Sequence, residues 1–190
     1  VIDKIRDHIT SDHIVISMAP GIDIESMKKG FGDNTRIIRS MPNTPALVGE
    51  GMSVISFSDD KYSEDEISEI KDIFLSFGEM EIVEEKHMDA IVPISGSSPA
   101  YVYVLIEAMA DAGVSMGLPR DLTYKLASQS VVGAGKMVLE TGQHPGELKD
   151  AVCSPGGTTI QAVNKLEETG FRSSVIEAMK SAYEKTQSIK

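Results

Sequence analysis

Period-two apolar patterns end at residue 84, and from Glu85 onward the chain shows only helical periodicity broken by Gly and Pro. A chain divided in this way is predicted to fold as a layered α/β part over residues 1–84 and an all-α part over residues 85–190. In the second part Tyr101, Leu105, Ala108 and Ala112 share a helical face, with Val102, Ile106, Met109 and Met116 close beside it. That stripe is too broad for a solvated helix, so it must be buried against something. A bundle is the expected solution, completed by a second subunit.

The first part alternates regularly. Ile2, Ile5 and Ile9 mark a helical face, Ile14 to Met18 a short strand, and Ile24 and Met27 a second helix beyond the Ala19-Pro20-Gly21 break. Arg36 to Ser40 reads as a strand, Met41-Pro42-Asn43-Thr44-Pro45 as a rigid turn, and Met52 to Phe57 as another strand. Ser63 and Glu66 have capping-box spacing, so a helix follows with Ile67, Ile70, Phe74 and Phe77 on one face. Gly78 ends it, and Glu79 to Val83 is the last strand. In the helical part Pro119 suits a first helical position, with the helix running through Leu122, Leu126 and Val138 to Gly142. Two further helices carry Ile160, Val163 and Leu166, then Phe171, Val175, Met179 and Ala182. Val1 to Ile5 reads as the interior of a helix without a start signal, the expectation for a fragment of a longer protein.

Composition excludes several classes. With a net charge of −11 the chain lacks the clustered cations that nucleic acid requires. No apolar run approaches the ~20 residues of a membrane span, and no signal-peptide pattern opens the sequence. The single cysteine, Cys153, rules out an internal disulfide, fits a reducing cytoplasm and reads as a small buried residue. None of the four histidines is spaced from another as metal ligands are. Val131-Val132-Gly133-Ala134-Gly135-Lys136-Met137-Val138 begins like a dinucleotide fingerprint but has Val138 for the third glycine and no strand before it. Its small residues are expected to serve close helix packing. Ser95-Gly96-Ser97-Ser98-Pro99 lacks the Gly-x-Ser-x-Gly elbow and reads as a kink between helices. Asp59-Asp60 and Glu84-Glu85 read as solvated surface.

The segment His144 to Ile160 carries the chemistry. A short helix runs into Ser154-Pro155-Gly156-Gly157, whose two glycines allow positive φ and close approach of a ligand. The helix beginning near Thr158 then points free N–H groups into the same space, which suits a carboxylate or a phosphate. Thr158 and Thr159 add two hydroxyls. Two other turns, Ala19-Pro20-Gly21 and Met41 to Pro45, each follow a short strand, where open α/β sheets bind ligands. Asn43 offers a rigidly held amide there.

Taken together, Met18-Ala19-Pro20-Gly21, Arg39 to Ala46, Asp89-Ala90 with Ser95 to Tyr101, His144-Pro145-Gly146 and Ser154 to Thr159 closely resemble pyrroline-5-carboxylate reductase. The resemblance covers essentially the whole chain. It implies an incomplete Rossmann-type dinucleotide-binding domain followed by an all-helical dimerisation domain. It also implies reduction of 1-pyrroline-5-carboxylate to L-proline with NADPH or NADH, by a homodimer or higher homo-oligomer. Carried over residue by residue, Ser154, Gly156 and Gly157 hold the substrate carboxylate, Thr159 bonds the ring nitrogen, and Thr158 and Glu85 border the pocket. Met18, Ala19, Pro20 and Asn43 lie along the cofactor near its nicotinamide. Ser98, Val92 and Ala151 depart from the family pattern, so no contact is carried over there. The glycine fingerprint that grips the pyrophosphate is not found ahead of the first strand. Two other readings stay open: a dimerising, substrate-binding module without catalysis, and a related two-domain imine reductase or dehydrogenase.

Overall fold

The computed structural model describes residues 2–189. It separates into two compact units, residues 1–99 with 178–190, and residues 100–177.

The first unit is built on a four-stranded sheet of order β1-β2-β3-β4. A short helix α1 (Ile2–Ile5) leads to β1 (Ile14–Ser17), α2 (Ile24–Phe31), β2 (Arg36–Met41), a 3₁₀ turn at Thr44–Val48, β3 (Gly51–Phe57), α3 (Glu64–Leu75) and β4 (Gly78–Ile82). Helical crossovers join the parallel pairs β1/β2 and β3/β4, whereas the short turn joins β2 to β3 antiparallel. Consecutive strand residues face opposite ways, and the layers follow from that. Ile38 packs with Ile55 against Ile70 and Phe74 of α3. Its neighbour Ile37 packs on the other face with Ile24 and Met27 of α2. On that second face Met41 and Val54 meet Met88, in α4 (Met88–Ile91).

Both signals that begin α3 act as the sequence predicted. Ser63 Oγ accepts from Glu66 N at 3.2 Å, and Glu66 Oε2 accepts from Ser63 N at 2.8 Å. Glu66 also receives Arg36 Nη1 at 2.5 Å. The Asp59-Asp60 pair is not simply solvated surface. Asp60 pairs with Lys28 Nζ at 2.6 Å and accepts from Ser58 Oγ at 2.5 Å. Burial pushes the Asp60 carboxyl up, but the hydrogen bonds from Lys28 and Ser58 outweigh it and leave the group below the ordinary carboxylate range.

A charged strand residue sits in the middle of this unit. Arg39 of β2 is 2% exposed, and its Nη2 donates to Asp89 Oδ1 of α4 at 2.6 Å. The other Asp89 oxygen accepts from Gln187 Nε2 at 3.0 Å. Gln187 ends the last helix, so sheet, α4 and the chain's final turn meet at one carboxylate.

After α4 a π-helical turn over Val92–Gly96 leads into α5 (Ser98–Ser115), followed by α6 (Arg120–Thr141), α7 (Pro145–Ala151), α8 (Thr158–Glu168) and α9 (Phe171–Gln187). The expected kink is thus a π-turn, with Ser97 N donating to Val92 O at 2.8 Å, and Gly96 faces Met41 of the sheet rather than another helix. In the second unit α5 and α6 cross closely at Gly113, where a Cβ would lie 2.4 Å from Thr123 Cγ2. Pro119 is the N-cap of α6, one place before the expected first helical position, because its extended ψ of 140° stays outside the helix.

The broad stripe of α5 is only partly covered. Ala110 and Gly113 are buried, whereas Tyr103, Val104 and Met116 are exposed at 58%, 66% and 75%. Likewise, at Gly133 and Gly135 no atom beyond the adjoining backbone of α6 comes within 4 Å of where a Cβ would stand, so the close packing expected of them is not made among the described residues.

Removing the Asp89 carboxylate leaves a buried guanidinium short of its main partner. Asp89→Ala is expected to lower stability by about 3 kcal/mol in urea unfolding, whereas cutting the exposed Glu25–Lys29 pair leaves the midpoint in place. Asp60 has a depressed folded-state value, so its contribution is complete above the ordinary carboxylate range and is lost as pH falls through the folded value. Urea midpoints measured from pH 7 down to pH 3 should therefore fall less steeply for Asp60→Asn than for the wild type.

Candidate functional site

Two surfaces carry the expected site residues, one in each unit. In the first, β1 ends at Ser17 and its parallel neighbour β2 ends at Met41, so the segments that follow them leave the same edge of the sheet. A groove of about 600 Å³ opens there, lined by Met18, Pro42, Asn43, Thr44, Ala46, Leu47, Phe77 and Gly96. Mostly apolar walls with a few polar groups suit the flat face of a planar ring. Met18 and Asn43 are brought together in it. Ala19 and Pro20 follow Met18 as exposed residues and do not line it.

The Asn43 amide is engaged on both sides. Its Nδ2 donates to the Ser95 carbonyl at 3.0 Å, and its Oδ1 accepts from Met52 N at 2.9 Å. The rigid amide therefore fastens the π-turn to the strand ends, and a single N–H is left for a ligand.

Glu85 stands elsewhere in the same unit. Its Oε1 accepts from Ile24 N at 2.6 Å, at the first residue of α2, and lies 3.6 Å from Arg39 Nη1. It lines a separate cavity of about 610 Å³ with Ile24, Ser56, Ser58 and Lys86. Of the Glu84-Glu85 pair, only Glu84 is the solvated carboxylate expected, paired with Lys86 at 2.6 Å.

The second surface is the Ser154 to Thr159 loop. His144 caps α7 by accepting Gly146 N at Nδ1, 3.0 Å, and Pro145 takes the first helical position. Lys149 of α7 pairs with Asp150, whose hydrogen bond holds the ammonium above its usual value. Beyond the helix Gly157 N donates to Ser154 O at 3.0 Å, which closes a turn with Pro155 second and Gly156 third at φ +70°. That is the type II pattern, in which the third residue must take positive φ. Gly157 does not share the positive φ expected of both glycines. It is the extended N-cap of α8 at φ −76°, and it needs to be glycine because a Cβ would sit 2.4 Å from Ser154 Oγ.

No side chain caps α8. The N–H groups of its first turn are therefore open, and Thr158 and Thr159 are exposed beside them. Cys153 is half-buried just before the turn, rather than fully buried. The arrangement can take an anionic group on backbone donors and one polar atom on a hydroxyl.

Among the described residues no cluster of His, Cys, Asp and Glu could hold a metal, and no helix is long and apolar enough to cross a membrane. Sequence reasoning missed Arg39 and Gln187, which position β2 and α4, and Leu47, Phe77 and Gly96, which line the groove. Arg39 had a signal, a charge in a strand otherwise read as buried. Gln187 had none.

The model of a pyrroline-5-carboxylate reductase dimerisation domain matches residues 85–189. The pyrroline-5-carboxylate reductase of Escherichia coli (strain K12) is 48% identical over 189 residues, covering 100% of this chain and 70% of that protein. Among solved structures, the Plasmodium falciparum pyrroline carboxylate reductase with NADP bound has a TM-score of 0.91 at 36% identity, covering 99% of this chain and 75% of that one. The Coxiella burnetii pyrroline-5-carboxylate reductase has a TM-score of 0.90 at 32% identity, covering 100% of this chain and 70% of that one.

Alanine at position 156 meets no neighbour but must hold φ +70°. Gly156→Ala should lower stability by about 1 kcal/mol in urea unfolding. Gly157→Ala, by contrast, must displace the Ser154 hydroxyl, which a high-resolution structure of the variant would reveal.

Proposed function

The chain belongs to the pyrroline-5-carboxylate reductase family, and we propose that it reduces 1-pyrroline-5-carboxylate to L-proline with NADPH or NADH. The observation that carries this reading is the likeness along the whole chain, which spans the groove and the Ser154 to Thr159 loop together. When bound, the nicotinamide supplies a hydride to the imine carbon, and the residues of this chain have only to bind, orient and polarise.

In this proposal the loop of Ser154, Gly156 and Gly157 holds the substrate carboxylate against the open N–H groups of the first turn of α8. The Thr159 hydroxyl bonds the ring nitrogen, fixing the imine and favouring the charge distribution of the reacting state, and Thr158 borders it. Glu85 borders the substrate pocket. Met18, Ala19, Pro20 and Asn43 flank the nicotinamide half of the cofactor, for which the mostly apolar groove has suitable walls. Residues 1–84 form the cofactor part, and 85–190 the dimerisation and substrate-binding part. The exposed Tyr103, Val104, Met116 and Leu139 support assembly into a homodimer, which removes from water apolar surface that one chain leaves open. The enzyme acts in the cytoplasm on a small-molecule substrate, without nucleic acid or membrane as partner.

Thr159→Val keeps the shape and removes the hydroxyl. It should lower kcat about 100-fold, with a smaller change in substrate KM, when NADPH oxidation is followed with pyrroline-5-carboxylate. Unchanged turnover would remove Thr159 from the mechanism. Sedimentation velocity at micromolar concentration should show a dimer, and a stable monomer would overturn that assignment.

A further inference from the structure

The segment that follows β1 is held at its two ends and covered at one point between them. Ser40 Oγ donates to the carbonyl of Ser17, where the strand ends, at 3.0 Å, and Ile22 packs with Ile24, Met27 and Ile37. Of the four residues between these anchors, Met18, Ala19 and Pro20 are exposed, and Ala19 N reaches back to Ser17 Oγ at 3.3 Å. Gly21 alone of the four is buried.

What covers Gly21 is the turn at the end of α9. A Cβ built on Gly21 would stand 3.1 Å from Ile189 Cγ2, 3.2 Å from Ile189 Cβ and 3.7 Å from the Thr186 carbonyl oxygen. The residue also lies at φ +73°, so its backbone and its neighbour both call for glycine. The covering turn is itself fixed. Thr186 is buried with its hydroxyl on Ala182 O at 2.9 Å, and Gln187 Nε2 donates to Asp89 Oδ2 at 3.0 Å, on the carboxylate that holds Arg39 of β2. A polar clamp anchored in the sheet thus delivers Ile189 to Gly21, while Ile189 itself stays 49% exposed.

We propose that Ile189 is a positioning residue for the cofactor turn, bracing Gly21 so that Met18 stands at the groove in the place the nicotinamide requires. The inference rests on the cofactor reading of that groove, which Met18 lines and Ile189 does not. Met18 is 66% exposed, so its place depends on the backbone that carries it rather than on packing of its own side chain. A turn braced before the ligand arrives spares the cost of ordering it on binding. Ile189 therefore acts through Gly21, on the nicotinamide end of the cofactor alone.

The test compares Ile189→Ala, which removes Cγ2, and Ile189→Val, which keeps it, with the wild-type chain. Ile55→Val, in the core on the α3 side of the sheet, is the control that lowers stability away from the turn. Calorimetric titration gives the affinity of each for NADPH and for 2′-phospho-ADP-ribose, which is NADPH without its nicotinamide. Ile189→Ala should bind NADPH about fivefold more weakly and 2′-phospho-ADP-ribose as before. Ile189→Val and Ile55→Val should bind both ligands as the wild type does. Unchanged NADPH affinity in Ile189→Ala, an equal loss for both ligands, no recovery in Ile189→Val, or the same selective loss in Ile55→Val would each overturn the role of Ile189. A wild-type chain that binds NADPH no better than 2′-phospho-ADP-ribose would overturn the nicotinamide reading of the groove itself.

Discussion

A guanidinium taken out of water has to be matched, and in the first unit Arg39 sets the terms for everything packed around it. Its partner Asp89 is itself tied to Gln187, so one carboxylate draws α4 and the final helical turn to the middle of β2. The desolvation of such a group is repaid only by good geometry, which makes the contact more a specification of arrangement than a source of net stability. Asn43 repeats the device at the end of the same strand by joining Ser95 and Met52. Between them the two clamps fix the wall that carries Gly96.

The second unit is organised on the opposite principle. Its helices bury few residues within the chain, among them Ala110, Gly113, Thr123 and Ala127, and small side chains dominate that contact. Large apolar groups such as Leu139, at 81% exposure, lie outside it. What order this unit has locally comes from caps and turns: His144 on Gly146, and the Ser154 to Gly157 turn. The loop on which substrate binding is proposed is therefore defined by short-range chemistry and by glycine at the two places where a side chain is strained or obstructed.

Much of this was legible beforehand. The capping box of Ser63 and Glu66, the strands around Ile37 and Val54, and the turn at Gly156 each depend on residues within a few places of one another, and each was read from spacing. The long-range bonds of Asn43 and Glu85 were not: Asn43 lines the groove and also fastens the Ser95 carbonyl, and Glu85 accepts from Ile24 N at the first residue of α2. The kink at Ser95 was read correctly as a break, but not as a π-turn that strands a hydroxyl, because propensities do not separate a shifted ladder from a regular one.

The division lies in range along the chain. By itself the sequence determined the order of elements, the capping box of α3, the presence of a turn at Ser154 to Gly157 and the family, since these follow from local sterics and from motifs kept in order. Tertiary structure alone decided which groups pair inside the first unit, where the bonds of Arg39 to Asp89, Asn43 to Ser95 and Gln187 to Asp89 span 50, 52 and 98 residues. No local pattern encodes such a partner. It is selected by the packing that brings a buried donor to the one acceptor able to satisfy it.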